Sequence, residues 1–307
     1  MTELFFILRD IILPVFVLMC IGFIIQRKIQ LDIQTLARLN IYFLVPGFIF
    51  VNLYQAEFSA SLFFRILGFF VVMMIALFVL GAYVGRLVGL NQGRKVVFTN
   101  SVIFYNVGNF GVPVNDLVFR GDPFAMSIQV IILTFQNIFL FSYGIFSMQS
   151  MRIGKLQAAL GYFKMPVLYA MLAGVSLNIL NVPIPHFIWV PATYTSNAMI
   201  AIALVTLGAQ VSEIKFSTGL RTVYISLIMR LFAGPAIALL VILLFRIDGI
   251  IAQALLISSA MPTSVNSAVI AQEYRNHPHF AAQIVLFSTL FSAITVTIVI
   301  YLARLIF

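Results

Sequence analysis

Residues 96–116, which read VVFTNSVIFYNVGNFGVPVND, decide how this chain folds. The flanks of the stretch are apolar enough for a membrane-spanning helix, but its centre is not. Five polar or helix-weakening residues fall within eight positions there: Asn106, Gly108, Asn109, Gly111 and Pro113. Glycine and proline weaken a helix, and peptide groups released at bilayer depth find no water unless protein covers them or they line a cavity. The stretch therefore predicts either a broken span that builds a binding site or a kinked helix that only packs closely.

The composition indicates an integral membrane protein. The chain has 307 residues, of which 62% are hydrophobic and 9% are charged, whereas soluble chains carry roughly 25% charged residues. The net charge of +9 does not indicate nucleic-acid binding, because the basic residues lie in short loops, where they set membrane orientation. Cys20 is the only cysteine and the three histidines lack metal-ligand spacing, so we expect no disulfide, no metal site and no cofactor.

Apolar segments of about 20 residues predict ten membrane-spanning helices in an all-α polytopic protein. The predicted spans cover residues 10–26, 37–54, 63–88, 96–117, 124–148, 164–181, 193–211, 219–245, 250–272 and 281–305. Basic residues concentrate in the odd-numbered loops, which predicts that these loops are cytoplasmic and that both termini lie outside. The N-terminus lacks a basic start and a cleavage site, so we expect a retained first helix rather than a signal peptide.

The two halves of the chain resemble each other. Asp122-Pro123-Phe124-Ala125 precedes span five, and His277-Pro278-His279-Phe280-Ala281 precedes span ten. Because each half holds five spans, the second copy is predicted to be inverted in the bilayer, a recurring plan of secondary transporters. We expect one integral membrane domain, with a first repeat over 1–148, a connector over 149–163 and an inverted second repeat over 164–307.

A second span breaks at the matching place. Residues 258–267 read SSAMPTSVNS, and Pro262 interrupts the helix among hydroxyl and amide side chains. A shift of 157 residues lays Asn109 on Asn266. If the two breaks meet in opposite orientations, half-helix N-termini and freed N–H groups converge, and such groups favour anions. The predicted crossover of spans four and nine therefore suits a small carboxylate, and two closely packed kinked helices are the alternative.

The predicted site residues fall into three groups. Those predicted to contact the solute are Asn106, Asn109, Thr263, Ser264, Asn266 and Ser267. Gln136 and Asn137 of span five either line the cavity or bridge helices. The residues predicted to fix the breaks are Gly108, Gly111, Pro113 and Pro262.

Three ionisable residues belong to the predicted spans. Asp116 and Glu273 close the two broken spans, and each either takes part in coupling to a proton or sodium ion or is an interfacial carboxylate at a helix end. Arg230 lies inside span eight, where an unpaired guanidinium is costly. It binds or steers an anion, pairs with a carboxylate, or extends toward a lipid headgroup.

The two broken spans resemble those of the auxin efflux carrier family. NVGNFGVP resembles the N-x-x-x-x-G-x-P motif in the fourth span of plant PIN auxin carriers. The ninth span and its following loop resemble their P-x10-EY-x2-HP pattern through Pro262, Glu273, Tyr274, His277 and Pro278. The chain is identified as a member of the bacterial branch of this family, which is associated with malate, malonate and similar organic anions. More distantly it is similar to the bile acid:sodium symporters.

The resemblance implies a scaffold formed by 10–54 and 164–211 and a transport, or crossover, domain formed by 63–148 and 219–305. It also implies a homodimer in the bacterial cytoplasmic membrane, with an elevator-like movement, and a crossover asparagine, here Asn106, that holds the substrate carboxylate.

The chain departs from the plant pattern at two positions. Tyr105 and Ser267 stand where plant carriers have prolines. The second change makes the site more polar and puts an indole-sized substrate in doubt. The long regulated loop of many plant members is also absent.

The sequence therefore predicts a secondary transporter that lies in the lipid bilayer and carries small organic anions. The alternatives are a channel-like uniporter of the same fold and a non-transporting membrane sensor, which would normally need a signalling appendage. An enzyme is not expected, because no nucleophile–base pair or metal set appears. The sequence does not determine the substrate, the direction of transport or the coupling ion.

Overall fold

A computed structural model describes residues 2–56, 60–149, 166–214 and 220–307. Within these ranges every regular element is a helix, and one isolated antiparallel bridge joins Tyr105 to Thr263. Most of the predicted connector 149–163, with Arg152 and Lys155, lies outside the described residues.

The helices follow the predicted spans, with two of the spans divided. In chain order they are α1 (Glu3–Ile29), α2 (Ile33–Gln55), α3 (Ser61–Leu87), α4 (Gln92–Ile103), α5 (Val112–Phe119), α6 (Pro123–Met148), α7 (Pro166–Ile179), α8 (His186–Ser212), α9 (Arg221–Leu244), α10 (Gly249–Ser259), α11 (Val265–Glu273) and α12 (Pro278–Ile306). Among the described residues, seven helices are long and apolar enough to cross a membrane: α1, α2, α3, α6, α8, α9 and α12. The chain is therefore an all-helical, multi-pass membrane protein.

The shorter helices account for the difference between the seven long helices of the described residues and the ten predicted spans. Spans four and nine are each divided into two shorter helices, α4 with α5 and α10 with α11. Pro262 lies within the interruption of span nine, whereas span four is interrupted at residues 104–106, just before the turn that holds Gly108 and Gly111. Span six is represented by α7, which has 14 residues in the described part of the chain. The count of ten spans remains a prediction.

Local sequence fixes where several helices begin. The Asp32 carboxylate accepts hydrogen bonds from two N–H groups in the first turn of α2, and the Asn91 side chain accepts one from the first turn of α4. Asp122 caps α6 in the same way. Such caps satisfy N–H groups that the helix itself leaves without partners. Pro123 and Pro278 occupy the first turns of α6 and α12, where a missing N–H costs nothing, and these helices begin one and three residues before the predicted spans.

The helices pack in two groups. In the first group, α1 packs against α8, and α2 packs against α7 and α8. In the second, α3 packs against α4, α5 and α10 pack against α6, and α12 packs against α10 and α11. The α2 helix also touches α6, so the two groups meet along a shared face.

The α1–α8 crossing depends on two glycines. A Cβ at Gly208 would lie 1.8 Å from the Met19 carbonyl oxygen, and one at Gly22 would lie 2.1 Å from the Val205 carbonyl oxygen. Small residues at such a crossing allow helix backbones to approach closely within a membrane. The backbones of α1 and α8 are therefore in direct contact at this crossing.

Candidate solute site at the crossing of two broken helices

The two breaks meet and run antiparallel to each other. The Asn106 N–H donates to the Pro262 carbonyl oxygen at 2.7 Å, and the Ser264 N–H donates to the Phe104 carbonyl oxygen at 2.9 Å. Buried backbone groups need partners, and here each break supplies them to the other. The structure corrects one expectation, because the N–H groups of Asn106 and Ser264 are not bare but hold the crossing together.

Buried side chains reinforce the crossing. The fully buried Gln129 amide donates to the Val107 carbonyl oxygen at 2.9 Å and accepts a hydrogen bond from the Ser258 hydroxyl. The Thr263 hydroxyl donates to the Ser101 carbonyl oxygen at 2.9 Å. Gln129 thus ties one break to the helix that enters the other. These bonds lie within the second helix group and join its two broken spans into one unit.

Arg230 lies where α4 and α10 end. Its side chain is fully buried, and its guanidinium donates to the Val102 carbonyl oxygen at 2.7 Å and to the Ser259 carbonyl oxygen. The guanidinium carbon lies 4.8 Å from the centre of the Tyr105 ring. Among the described residues Arg230 forms no ion pair. Complete burial rules out the interpretation that Arg230 extends to a headgroup, and the observed contacts show instead that it binds two helix C-termini.

The N-terminal ends of the following half-helices reach a cleft. Asn109 lies in the helical turn that leads into α5, and Asn266 lies in the first turn of α11. Both line a small, open cleft between the two helix groups. All its lining residues are uncharged: Ala37, Asn40, Ile41, Val45, Asn109, Asn137, Val167, Thr206, Gln210 and Asn266.

Several polar atoms in the cleft have no hydrogen-bond partner among the residues that the structure describes. The Asn40 amide nitrogen donates to the Asn109 side-chain oxygen at 3.1 Å, but the Asn40 oxygen has no partner. The Thr206 hydroxyl and the Gln210 side-chain oxygen also lack partners. Asn40 and Thr206 are only 3% and 1% exposed. Buried polar groups normally have partners, so the cleft is suited to a polar solute.

Sequence reasoning missed Asn40, Thr206 and Gln210. A signal was available, because all three are polar residues inside predicted spans. Thr206 and Gln210 are also four residues apart, which places them on one face of a helix.

The predicted solute contacts separate into two sets. Asn109, Asn137 and Asn266 line the cleft. The others do not appear in its lining and lie at or near the crossing: Asn106, Thr263, Ser264, Ser267 and Gln136. The buried Asn106 amide nitrogen has no partner in the described part of the chain. The Ser267 hydroxyl donates to the Ser264 carbonyl oxygen. The Gln136 amide nitrogen donates to the Ile103 carbonyl oxygen.

Of the predicted break residues, Pro262 lies within a break, whereas Gly108 and Gly111 lie in the helical turn Val107–Gly111 that follows the other break. A Cβ at Gly111 would lie 2.7 Å from the Gln129 amide nitrogen, so a larger residue would displace that side chain. Gly108 faces Leu133, which a Cβ would approach to 3.2 Å. Pro113 occupies the first turn of α5, and the Pro262 carbonyl accepts the bond that joins the breaks.

Neither predicted coupling carboxylate lines the cleft. Asp116 is half-buried in α5, and Glu273 is exposed at the last residue of α11. In the part of the chain that the structure describes, neither forms an ion pair. Their predicted role in coupling therefore remains a prediction.

Comparison with known families agrees with the internal repeat. The sequence matches the family described as "Membrane transport protein" twice, over residues 8–159 and over residues 150–300. Together the two matches cover nearly the whole chain, one for each half. No curated protein matches the chain. With its two repeats and its apolar helices, the chain belongs to the auxin efflux carrier family of membrane transport proteins.

Proposed function

We propose that this transporter carries small organic anions of the malate or malonate type across the bacterial cytoplasmic membrane. The observation that carries the proposal is the uncharged cleft that is lined by Asn109, in the turn before α5, and by Asn266, in the first turn of α11. Helix N-termini carry partial positive charge and bind carboxylates through free N–H groups. The amide groups of Asn109, Asn137 and Asn266 supply further donors.

The cleft also supports a moving-carrier mechanism. Asn40 and Thr206 belong to the first helix group and Asn109 and Asn266 to the second, so a solute in the cleft contacts both. In the proposed elevator-type alternating access, residues 10–54 and 164–211 form the fixed scaffold. Residues 63–148 and 219–305 then carry the solute past it. The bonds through Gln129 and Arg230 support movement of the crossing as one body.

The proposal keeps the remaining features of the sequence prediction. Ten spans in an inverted five-plus-five arrangement would place both termini outside, and two copies would form a homodimer. A reporter fused after Phe307 tests the orientation, because cytoplasmic reporter activity contradicts it. Coupling through Asp116 or Glu273 is tested by measuring uptake with and without sodium across a pH range.

Uptake of radiolabelled malonate into liposomes that contain the purified protein tests the site. Asn109→Leu keeps the branched shape and the number of heavy atoms but removes the amide at the N-terminal turn. We expect it to lower the initial rate roughly tenfold or more, since a buried hydrogen bond to a charged group contributes about 1.5–3 kcal/mol. Asn197→Leu, which changes an exposed amide of α8 outside the cleft, is the matched control and should transport normally.

The same liposomes separate the alternative functions. Saturable uptake with counterflow supports a carrier, whereas an ohmic current supports a channel-like uniporter. Binding without flux supports a membrane sensor. Normal uptake by the Asn109→Leu protein would remove the cleft from the transport path.

A further inference from the structure

Span four breaks at a place that holds neither proline nor glycine. The α4 helix ends at Ile103, and residues 104–106 read FYN, whereas Gly108 and Pro113 come later in the chain. Phenylalanine, tyrosine and asparagine can all stand inside a helix, unlike proline. The local sequence therefore does not account for this break, and its cause lies in contacts with distant parts of the chain.

Distant donors occupy the carbonyl groups that the next turn of α4 would need. In a continuous helix, the carbonyls of residues 101–104 would accept hydrogen bonds from the N–H groups of residues 105–108. Each of the four carbonyls has another donor, in the pairs Ser101 with Thr263, Val102 with Arg230, Ile103 with Gln136 and Phe104 with Ser264. A helix that continued past Ile103 would have to displace these donors or share their acceptors.

Arg230 differs from the other three donors because it also binds the second broken helix. Its guanidinium donates to the Ser259 carbonyl, which in a continuous α10 would accept from the Thr263 N–H. The Thr263 N–H instead donates to the Ser288 hydroxyl at 3.1 Å. One side chain therefore occupies an acceptor of each half-helix. Because a hydrogen bond from a charged group is stronger than one between neutral groups, Arg230 is the strongest of the four donors.

The surroundings of Arg230 hold its guanidinium at these two carbonyls. The side chain is fully buried, and its guanidinium carbon lies 4.8 Å from the centre of the Tyr105 ring. A buried cation is costly in a membrane unless it has polar partners, so the guanidinium is expected to keep them. Gly234 lies one turn further along α9, and a Cβ there would lie 2.5 Å from the Arg230 Nη2 atom. The absence of a side chain at this glycine leaves room for the guanidinium.

We infer that Arg230 keeps span four broken and thereby positions one side of the solute cleft. Three residues such as 104–106 extend over about 10 Å as a strand but over only about 4.5 Å as a helix. A continuous α4 would therefore draw Asn109 back by about 5 Å, away from the cleft that it lines with Asn266. Arg230 does not line the cleft, so it is a positioning residue rather than a solute contact. This role in transport rests on the proposed function, whereas the role in the break does not.

Amide hydrogen exchange of the purified protein tests the role in the break without any solute. In Arg230→Met the α4 helix should continue, so that the Ser264 N–H loses its acceptor, the Phe104 carbonyl. We expect peptides that cover residues 260–266 to exchange about tenfold faster, because a buried hydrogen bond is lost. Arg65→Met, which removes an exposed arginine of α3, is the matched control and should exchange as the unchanged protein does. Unchanged exchange in Arg230→Met overturns the inference.

A proline at residue 105 separates this role from a general effect on stability. Proline cannot continue α4, because it lacks the N–H group and disfavours the helical conformation at the residue before it. Phe104 is already extended, with φ −94° and ψ 107°, as the residue before a proline prefers. Adding Tyr105→Pro to Arg230→Met should therefore restore the slow exchange. If Arg230 only stabilised the fold, the second substitution would remove a buried ring and make exchange faster still.

Uptake of radiolabelled malonate into liposomes tests the role in transport. We expect Arg230→Met to lower the initial rate roughly tenfold, because Asn109 no longer reaches the solute, and the added Tyr105→Pro to recover most of that loss. A double variant that exchanges and transports no better than Arg230→Met overturns the inference. If the unchanged protein takes up no malonate, the proposed function fails, and the exchange experiment alone decides the role of Arg230 in the break.

A glycine variant decides the question if Arg230→Met or the double variant does not fold. Gly234→Ala displaces the guanidinium but keeps its charge, because the new Cβ would lie 2.5 Å from the Arg230 Nη2 atom. Gly68→Ala, whose Cβ would meet only the Phe245 ring at 3.5 Å, is the matched control. Faster exchange over residues 260–266 in Gly234→Ala alone supports the inference. Equal exchange in the two alanine variants overturns it.

Discussion

The glycine crossing of α1 and α8 gives a prediction whose magnitude follows directly from the structure. In a Gly208→Ala protein the new Cβ would lie 1.8 Å from the Met19 carbonyl oxygen, whereas real Cβ contacts are essentially never shorter than 3.0 Å. The two backbones must therefore separate by about 1.2 Å, which is 3.0 minus 1.8. Because the obstacle is a backbone carbonyl, no side-chain rotation relieves it.

Overpacking of this kind costs about 1–3 kcal/mol. We expect a value near the upper end, about 3 kcal/mol, because a backbone atom is involved. Alanine favours a helix over glycine by about 1 kcal/mol, so the net loss should be about 2 kcal/mol. At about 2–4 °C per kcal/mol, the unfolding temperature should then fall by about 4–8 °C. To measure the unfolding temperature, samples of the purified protein in detergent are heated to a series of temperatures. The fraction that remains folded is then measured by size-exclusion chromatography.

Gly68→Ala in α3 is the matched control. Its Cβ would meet the Phe245 ring at 3.5 Å, which is ordinary van der Waals contact. We expect its unfolding temperature to stay the same or rise slightly. A Gly208→Ala protein that unfolds at the temperature of the unchanged protein would refute the close crossing.

Three further predictions concern the crossing of the broken helices. Gln129→Met keeps the size of the side chain but removes two buried hydrogen bonds, so stability should fall by about 2–3 kcal/mol in denaturant unfolding. Gly111→Ala pushes the Gln129 amide aside, and we expect slower malonate uptake with a smaller loss of stability than in Gln129→Met. Thr263→Val removes the donor to the Ser101 carbonyl and should lower the unfolding temperature, whereas Thr263→Ser should restore it. Equal unfolding temperatures for the two Thr263 variants would contradict a role for the hydroxyl.

The sequence located both helix breaks to within a few residues. In span nine the helix ends at Ser259 and Pro262 lies within the break, as expected from the local effect of proline on a helix. In span four the helix ends at Ile103, before the predicted break residues. Gly108 and Gly111 lie in the helical turn that follows, and Pro113 lies in the first turn of α5. The apolar segments likewise predicted the all-helical membrane fold, since their length and composition alone indicate a span.

Only the tertiary structure decided what the polar residues of the crossing contact. The backbone N–H groups of Asn106 and Ser264 bind the opposite break, and this pairing depends on residues more than 150 positions apart in the chain. Arg230 in turn binds the ends of α4 and α10, which no local pattern indicates.

The cleft shows the same division between local and long-range information. Asn109 and Asn266 were predicted from their place at the breaks, whereas Asn40 and Thr206 emerged only when the rotation and packing of α2 and α8 were known. Local sequence determines where a helix begins, breaks and ends, because those preferences act over a few neighbouring residues. Which side chains share one cleft is decided by contacts between distant helices, and those contacts exist only in the folded chain.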